Sequence, residues 1–211
     1  YKRQGLPADA YINIYATNEQ VADVILPDPR NQGVSLTGSE RAGKAVAAEA
    51  GKNLKKVVLE LGGSDPYVVL DTPDVAKTAD LLFNTRMGNM GQACNSPKHM
   101  IVMEDIYDDF VSSITQAAKS IAVDNPWEDP GTLAPLSSTG AKERFTEQVK
   151  ATVAEGATLL AGGEDYDGPG AWVRPVVLTD VKKGSRGYYE ELFGPAFMVF
   201  KVPATAPCLL Y

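Results

Sequence analysis

Apolar residues recur at spacings of three and four over 106–121, where Ile106, Phe110, Val111, Ile114, Ala117, Ala118 and Ile121 share one helical face. Phe145, Val149 and Val153 repeat that spacing and predict a second helix ending at Gly156. Short apolar runs bounded by Gly, Pro or polar clusters predict strands at 11–15, 34–37, 56–61, 66–70, 98–102, 158–160, 172–178 and 198–202. Further helical stretches are expected at 18–26, from Ser39 to about Ala50, and at 74–86. Ser39 is the expected N-cap of the Ala-rich helix, and alanine has high helix propensity. Gly-rich residues 87–91 read as a break, and 125–131 as a loop. Strands alternating with helices predict an α/β fold built on parallel strands with crossover helices.

Composition supports a packed core. Of 211 residues, 44% are hydrophobic and 22% charged, which is not the balance of a disordered chain. The 20 Lys and Arg against 27 Asp and Glu give a net charge of −7, so no basic surface is expected for nucleic acid or an anionic membrane. No apolar run is long enough to cross a bilayer, and Tyr1-Lys2-Arg3-Gln4-Gly5 is not a signal peptide. Cys94 and Cys208 form neither a metal pair nor a disulfide framework. These features predict a cytoplasmic protein with no metal site.

Three segments could carry chemistry. Cys94 lies in Gly91-Gln92-Ala93-Cys94-Asn95-Ser96-Pro97, where small neighbours leave room for a carbonyl substrate. A free cysteine is commonly just a small buried hydrophobe. A helix starting here would lower its pKa, although Pro97 would interrupt such a helix. The single histidine, His99, falls within a predicted strand and reads as structural. Glu60 lies inside the apolar strand Val57-Val58-Leu59-Glu60-Leu61 and precedes Gly62-Gly63. It is either a residue turned to water or a carboxylate at a strand end where α/β sheets place ligands, raised by desolvation toward a general base. Glu190-Glu191-Leu192-Phe193-Gly194-Pro195 reads by itself as a solvated turn before a strand.

Taken in order, Glu60-Leu61-Gly62-Gly63, Gly91-Gln92-Ala93-Cys94 and Glu191-Leu192-Phe193-Gly194-Pro195 resemble the signature segments of the NAD(P)-dependent aldehyde dehydrogenase superfamily. Thr37-Gly38-Ser39 with Gly43 resembles its cofactor-domain turn. Leu59-Glu60-Leu61-Gly62-Gly63-Ser64-Asp65-Pro66 and Leu133-Ala134-Pro135-Leu136-Ser137 are most similar to the succinate-semialdehyde dehydrogenase branch. The resemblance implies an incomplete Rossmann-type cofactor domain over 1–61, a partial α/β catalytic domain over 62–202 and a divergent tail over 203–211. It implies Cys94 as nucleophile and Glu60 as the base that activates water, so no catalytic histidine is needed. Glu191 would bind the nicotinamide ribose with Phe193 near the ring. Gly38 and Ser39 would lie by the phosphates of NAD or NADP, and Leu61 and Gly62 by the carboxamide. The Cys94 N–H would give half an oxyanion hole.

The same resemblance implies a partial chain of a homo-oligomeric parent, acting on a small aldehyde and weak or inactive alone. Its ends are then cut edges that favour self-association. Two alternatives stand beside it: a non-catalytic homologue that only packs against a partner, and a CoA-acylating enzyme. Glu60 argues against the second, because that branch generally lacks the base.

Overall fold

The computed structural model describes residues 2–7, 9–122, 128, 133–164 and 170–203. It divides the chain into two compact units, Tyr1–Gly62 and Gly63–Tyr211.

In the first unit a short helix α1 (Asn18–Gln20) runs on into a π-helical turn over Val21–Ile25, and Thr17 closes its start with a capping box. Strand β1 (Gly33–Thr37) leads into helix α2 (Glu40–Lys52), which is followed by β2 (Lys56–Glu60). The two strands pair in parallel, Thr37 opposite Glu60. Ser39 caps α2 through its Oγ, which accepts the Ala42 N–H at 3.3 Å. The strand expected at 11–15 does not form. Tyr11, Ile12, Ile14 and Tyr15 are exposed and join no ladder among the described residues; apolar spacing alone does not make a strand without a hydrogen-bonding neighbour.

The second unit is a five-stranded sheet in the order β3-β4-β7-β6-β5, from β3 (Pro66–Val69), β4 (His99–Met103), β5 (Thr158–Ala161), β6 (Val176–Thr179) and β7 (Ala196–Val202). All neighbours are parallel except β5 with β6. Helices α3 (Val75–Met87) and α4 (Tyr107–Ser120) cover one face, and α5 (Thr139–Ala154) covers the other; a short α6 (Arg186–Tyr189) precedes β7. Strand β7 shows why. Phe197 and Val199 join Phe110 and Ile114 of α4 in one core, while Ala196, Met198 and Phe200 join Phe145 and Val149 of α5 in the other.

Residues 172–178 form a strand only from Val176. Pro175 has no N–H for a ladder, and pairing begins with the Val176 N–H donating to Pro195 O at 2.8 Å. The loop expected over 125–131, Glu128 apart, lies outside the described residues, as do Cys208 and the tail beyond 203. Among the described residues no helix is long and apolar enough to cross a membrane, and no group of three or more His, Cys, Asp or Glu could hold a metal ion.

Candidate active site

The first unit brings Glu60, Gly38 and Leu61 together. Gly38 N–H donates to the Glu60 carbonyl at 3.0 Å, which places the strand end against the turn that opens α2. Gly43 is needed there: a Cβ on it would lie 2.7 Å from Leu61 Cδ2. Gly38, Ser39 and Gly62 are exposed, so the N-terminus of α2 is open to an anion. Glu60 is exposed as well. Its side chain lies on the outer face of a two-stranded ladder whose burial alternates.

The second unit holds Cys94, Glu191 and Phe193. The topology explains their meeting. Residues 94–98 lead into β4 and residues 191–195 into β7, and these strands are parallel neighbours with His99 opposite Met198. Both loops therefore lie at the same edge of the sheet.

Cys94 is a free, exposed thiol. No helix starts at it, contrary to the sequence expectation. Residues 92–98 are turn and irregular backbone, entered through left-handed Asn89, Met90 and Gly91 (φ 50°, 56° and 70°). This turn is held by an amide clasp in which Asn89 Nδ2 donates to Gln92 O (3.1 Å) and Gln92 Nε2 to Asn89 O (3.0 Å). Gln92 Oε1 also accepts the Ser137 N–H at 2.9 Å, tying in the 133–137 stretch. Gly91 packs backbone to backbone on Gly194, where a Cβ would strike the Gly194 carbonyl.

Two buried cations join the loops, and sequence reasoning passed over both. Arg86, fully buried at the end of α3, donates to the carbonyls of Gly91 (3.0 Å), Leu192 (3.0 Å), Gly194 (2.7 Å) and Ala196 (3.0 Å), and to Ser96 Oγ (2.8 Å). Burial pushes its pKa down to about 10, opposed by the charge of Glu191, so it remains a cation at neutral pH. Lys98, also fully buried, donates from Nζ to the carbonyls of Ala93 (3.0 Å) and Cys94 (2.7 Å). Its Nζ meets Glu191 Oε1 at 2.8 Å, as an ion pair rather than along a hydrogen-bond direction. The only sequence signal for either was a basic residue set where the pattern is otherwise apolar: Arg86 at the end of a core helix, Lys98 at the head of a core strand.

Glu191 is not part of a solvated turn. Its Oε1 is buried on Lys98, its backbone carbonyl accepts Gln148 Nε2 at 3.1 Å, and its side chain remains 22% exposed. Neighbouring Glu190 bonds Gln148 Nε2 and Arg186; against the effect of burial these hold its carboxyl below the usual range. Phe193, two residues after Glu191, is 44% exposed. His99 packs edge-on against Phe200, in keeping with a structural role.

Residues 1–209 match the model of the aldehyde dehydrogenase family. The chain is 46% identical over 200 residues to the NADP(+) succinate-semialdehyde dehydrogenase of Deinococcus radiodurans, covering 94% of this chain and 41% of that one. The succinic semialdehyde dehydrogenase of Streptococcus pyogenes, solved in complex with NADP+, superposes with a TM-score of 0.89 at 40% identity, covering 96% of this chain and 44% of that chain. Aldehyde dehydrogenase 21 of Physcomitrella patens, solved with the reaction product succinate, matches at a TM-score of 0.80 and 34% identity, over 90% and 38%. The chain thus spans about two fifths of the length of these relatives.

Proposed function

The chain belongs to the aldehyde dehydrogenase family, and from that premise we propose that it carries the cysteine centre of an enzyme that oxidises succinate semialdehyde, or a similar small aldehyde, to the acid with NADP+. The observation that carries this reading is the joining of two loops, exposed Cys94 on one and half-open Glu191 on the other, by Arg86 and Lys98.

Residues 1–61 are read as the C-terminal part of the dinucleotide-binding domain and 62–202 as part of the catalytic domain. Gly38 and Ser39 hold phosphate at the α2 N-terminus. Leu61 and Gly62 meet the carboxamide, Glu191 accepts hydrogen bonds from ribose hydroxyls, and Phe193 packs near the ring. When bound, the dinucleotide supplies the acceptor for the hydride that leaves the substrate carbon. Cys94 as thiolate forms a C–S bond to the aldehyde carbon, and charge moves to the former carbonyl oxygen. The Cys94 N–H donates to that oxygen. Cys94 then holds the acyl group as a thioester. Glu60 takes a proton from water as the water oxygen attacks; the C–S bond breaks, the acid leaves and the thiolate returns.

The relatives' names support the substrate and NADP+. The test is reduction of NADP+ that requires the aldehyde, followed at 340 nm. In a form of the protein that turns over, Cys94→Ser is expected to lose it; an unaffected Cys94→Ser rate contradicts the reading.

A further inference from the structure

We infer that Lys98 is a positioning residue that aims the Cys94 N–H and couples it to the charge of Glu191; this deepens the reading of Cys94 and Glu191 given above. The inference comes from the acceptors Nζ has taken. A trans peptide points its C=O and N–H in opposite directions, and among the described residues no peptide bond is cis. The Ala93 carbonyl belongs to the same peptide plane as the Cys94 N–H. By donating to Ala93 O at 3.0 Å, Lys98 turns that N–H away from itself. By donating to Cys94 O at 2.7 Å, it also fixes the plane on the other side of the residue. One ammonium thereby holds both peptides that flank the thiol.

Among the described residues no other side chain donates to both of these carbonyls. Arg86 grips the outer ends of the turn, at Gly91 and Ser96. The Ser96 N–H shares the Ala93 carbonyl at 3.2 Å, which confirms its inward direction. Among the described residues no hydrogen bond takes the Cys94 N–H.

The lysine is itself held rigidly. Its backbone N–H donates to Asp65 O at 3.0 Å and its carbonyl accepts the Met198 N–H at 3.2 Å, fixing it at the head of the interior strand β4. Its third Nζ neighbour is Glu191 Oε1 at 2.8 Å. A change in charge on Glu191 must therefore alter the pull on the ammonium, and through it the Ala93–Cys94 plane. Ribose hydroxyls that donate to Glu191 compete with the ammonium for the same carboxylate and act in the same direction. Coupling through a shared buried group is the situation in which pairwise substitutions fail to add.

The test uses the whole 211-residue chain, 15N-labelled at cysteine and carrying Cys208→Ser, so that one amide signal reports on Cys94. Glu191→Gln is expected to move that signal, and to move it no further in the Lys98→Met background. A Cys94 amide that ignores Glu191→Gln overturns the inference, as does an equal movement in both backgrounds. If Lys98→Met does not fold, the Glu191→Gln spectrum alone still decides. In an enzyme that turns over, folded Lys98→Met is expected to lose about 100-fold in kcat, the order of one oxyanion donor, with little change in aldehyde KM. An unchanged kcat overturns the inference. The amide spectrum needs no turnover, so it tests the role of Lys98 whether or not the proposed function holds, and the Cys94→Ser rate tests that function separately.

Discussion

Arg86 Nη2 donates to the Gly194 carbonyl at 2.7 Å, linking residues 108 apart in sequence across the base of the candidate site. The same guanidinium donates to four more carbonyls and a serine hydroxyl. A neutral side chain of similar length leaves those acceptors buried without donors, and each costs about 1–3 kcal/mol when relaxation and water do not compensate.

Arg86→Met is accordingly expected to destabilise the second unit by about 3 kcal/mol or more, read as a lower urea midpoint. A loss below about 1 kcal/mol would mean that the loops hold without the hub.

Gly91 and Gly88 make a matched pair three residues apart. Gly91 has φ +70° and no room for a Cβ, because the Gly194 carbonyl and the Arg86 guanidinium carbon lie against it. Gly88 has an ordinary φ of −49° and open space around it. Gly91→Ala is expected to cost about 2 kcal/mol or more, and Gly88→Ala to stay within about 0.5 kcal/mol. Thermal melts of the two variants side by side check this.

Burial holds the His99 pKa below its ordinary value; the Gly187 backbone bond opposes that shift and the Lys98 charge adds to it. The folded value is then the lower one, so between it and about 6.5 the unfolded chain binds more protons. Stability from this site is complete above about pH 6.5 and is lost as pH falls through the folded value. His99→Phe keeps an aromatic ring beside Phe200 and removes the titration. Urea midpoints at about pH 5.5 and 7.5 are expected to differ less in His99→Phe than in the wild type. An identical difference would show that His99 does not titrate with folding.

Local pattern carried the secondary structure where one element decides its own burial. The face led by Phe110, Ile114 and Ala118 became α4, and Ser39 became a cap. Pattern failed where a partner decides, as at 11–15, which has no ladder, and at 172–175, where Pro175 blocks one. The site divides in the same way. Cys94 and Glu191 were legible as members of ordered segments. Arg86 was not, because its importance lies in bonds to residues 106 to 110 positions away, which periodicity does not encode. Lys98 reads locally as one more charge before a strand. The sheet register of β4 and β7 is what makes it the link to Glu191.

The most direct measurement of the central claim, a covalent acyl intermediate on Cys94, is mass spectrometry of Glu60→Gln protein after exposure to succinate semialdehyde and NADP+. With no carboxylate to activate water, one burst of NADPH, arrested turnover, and a succinyl group on the peptide containing Cys94 are expected. Steady turnover in Glu60→Gln, or a burst that leaves Cys94 unmodified, would contradict it.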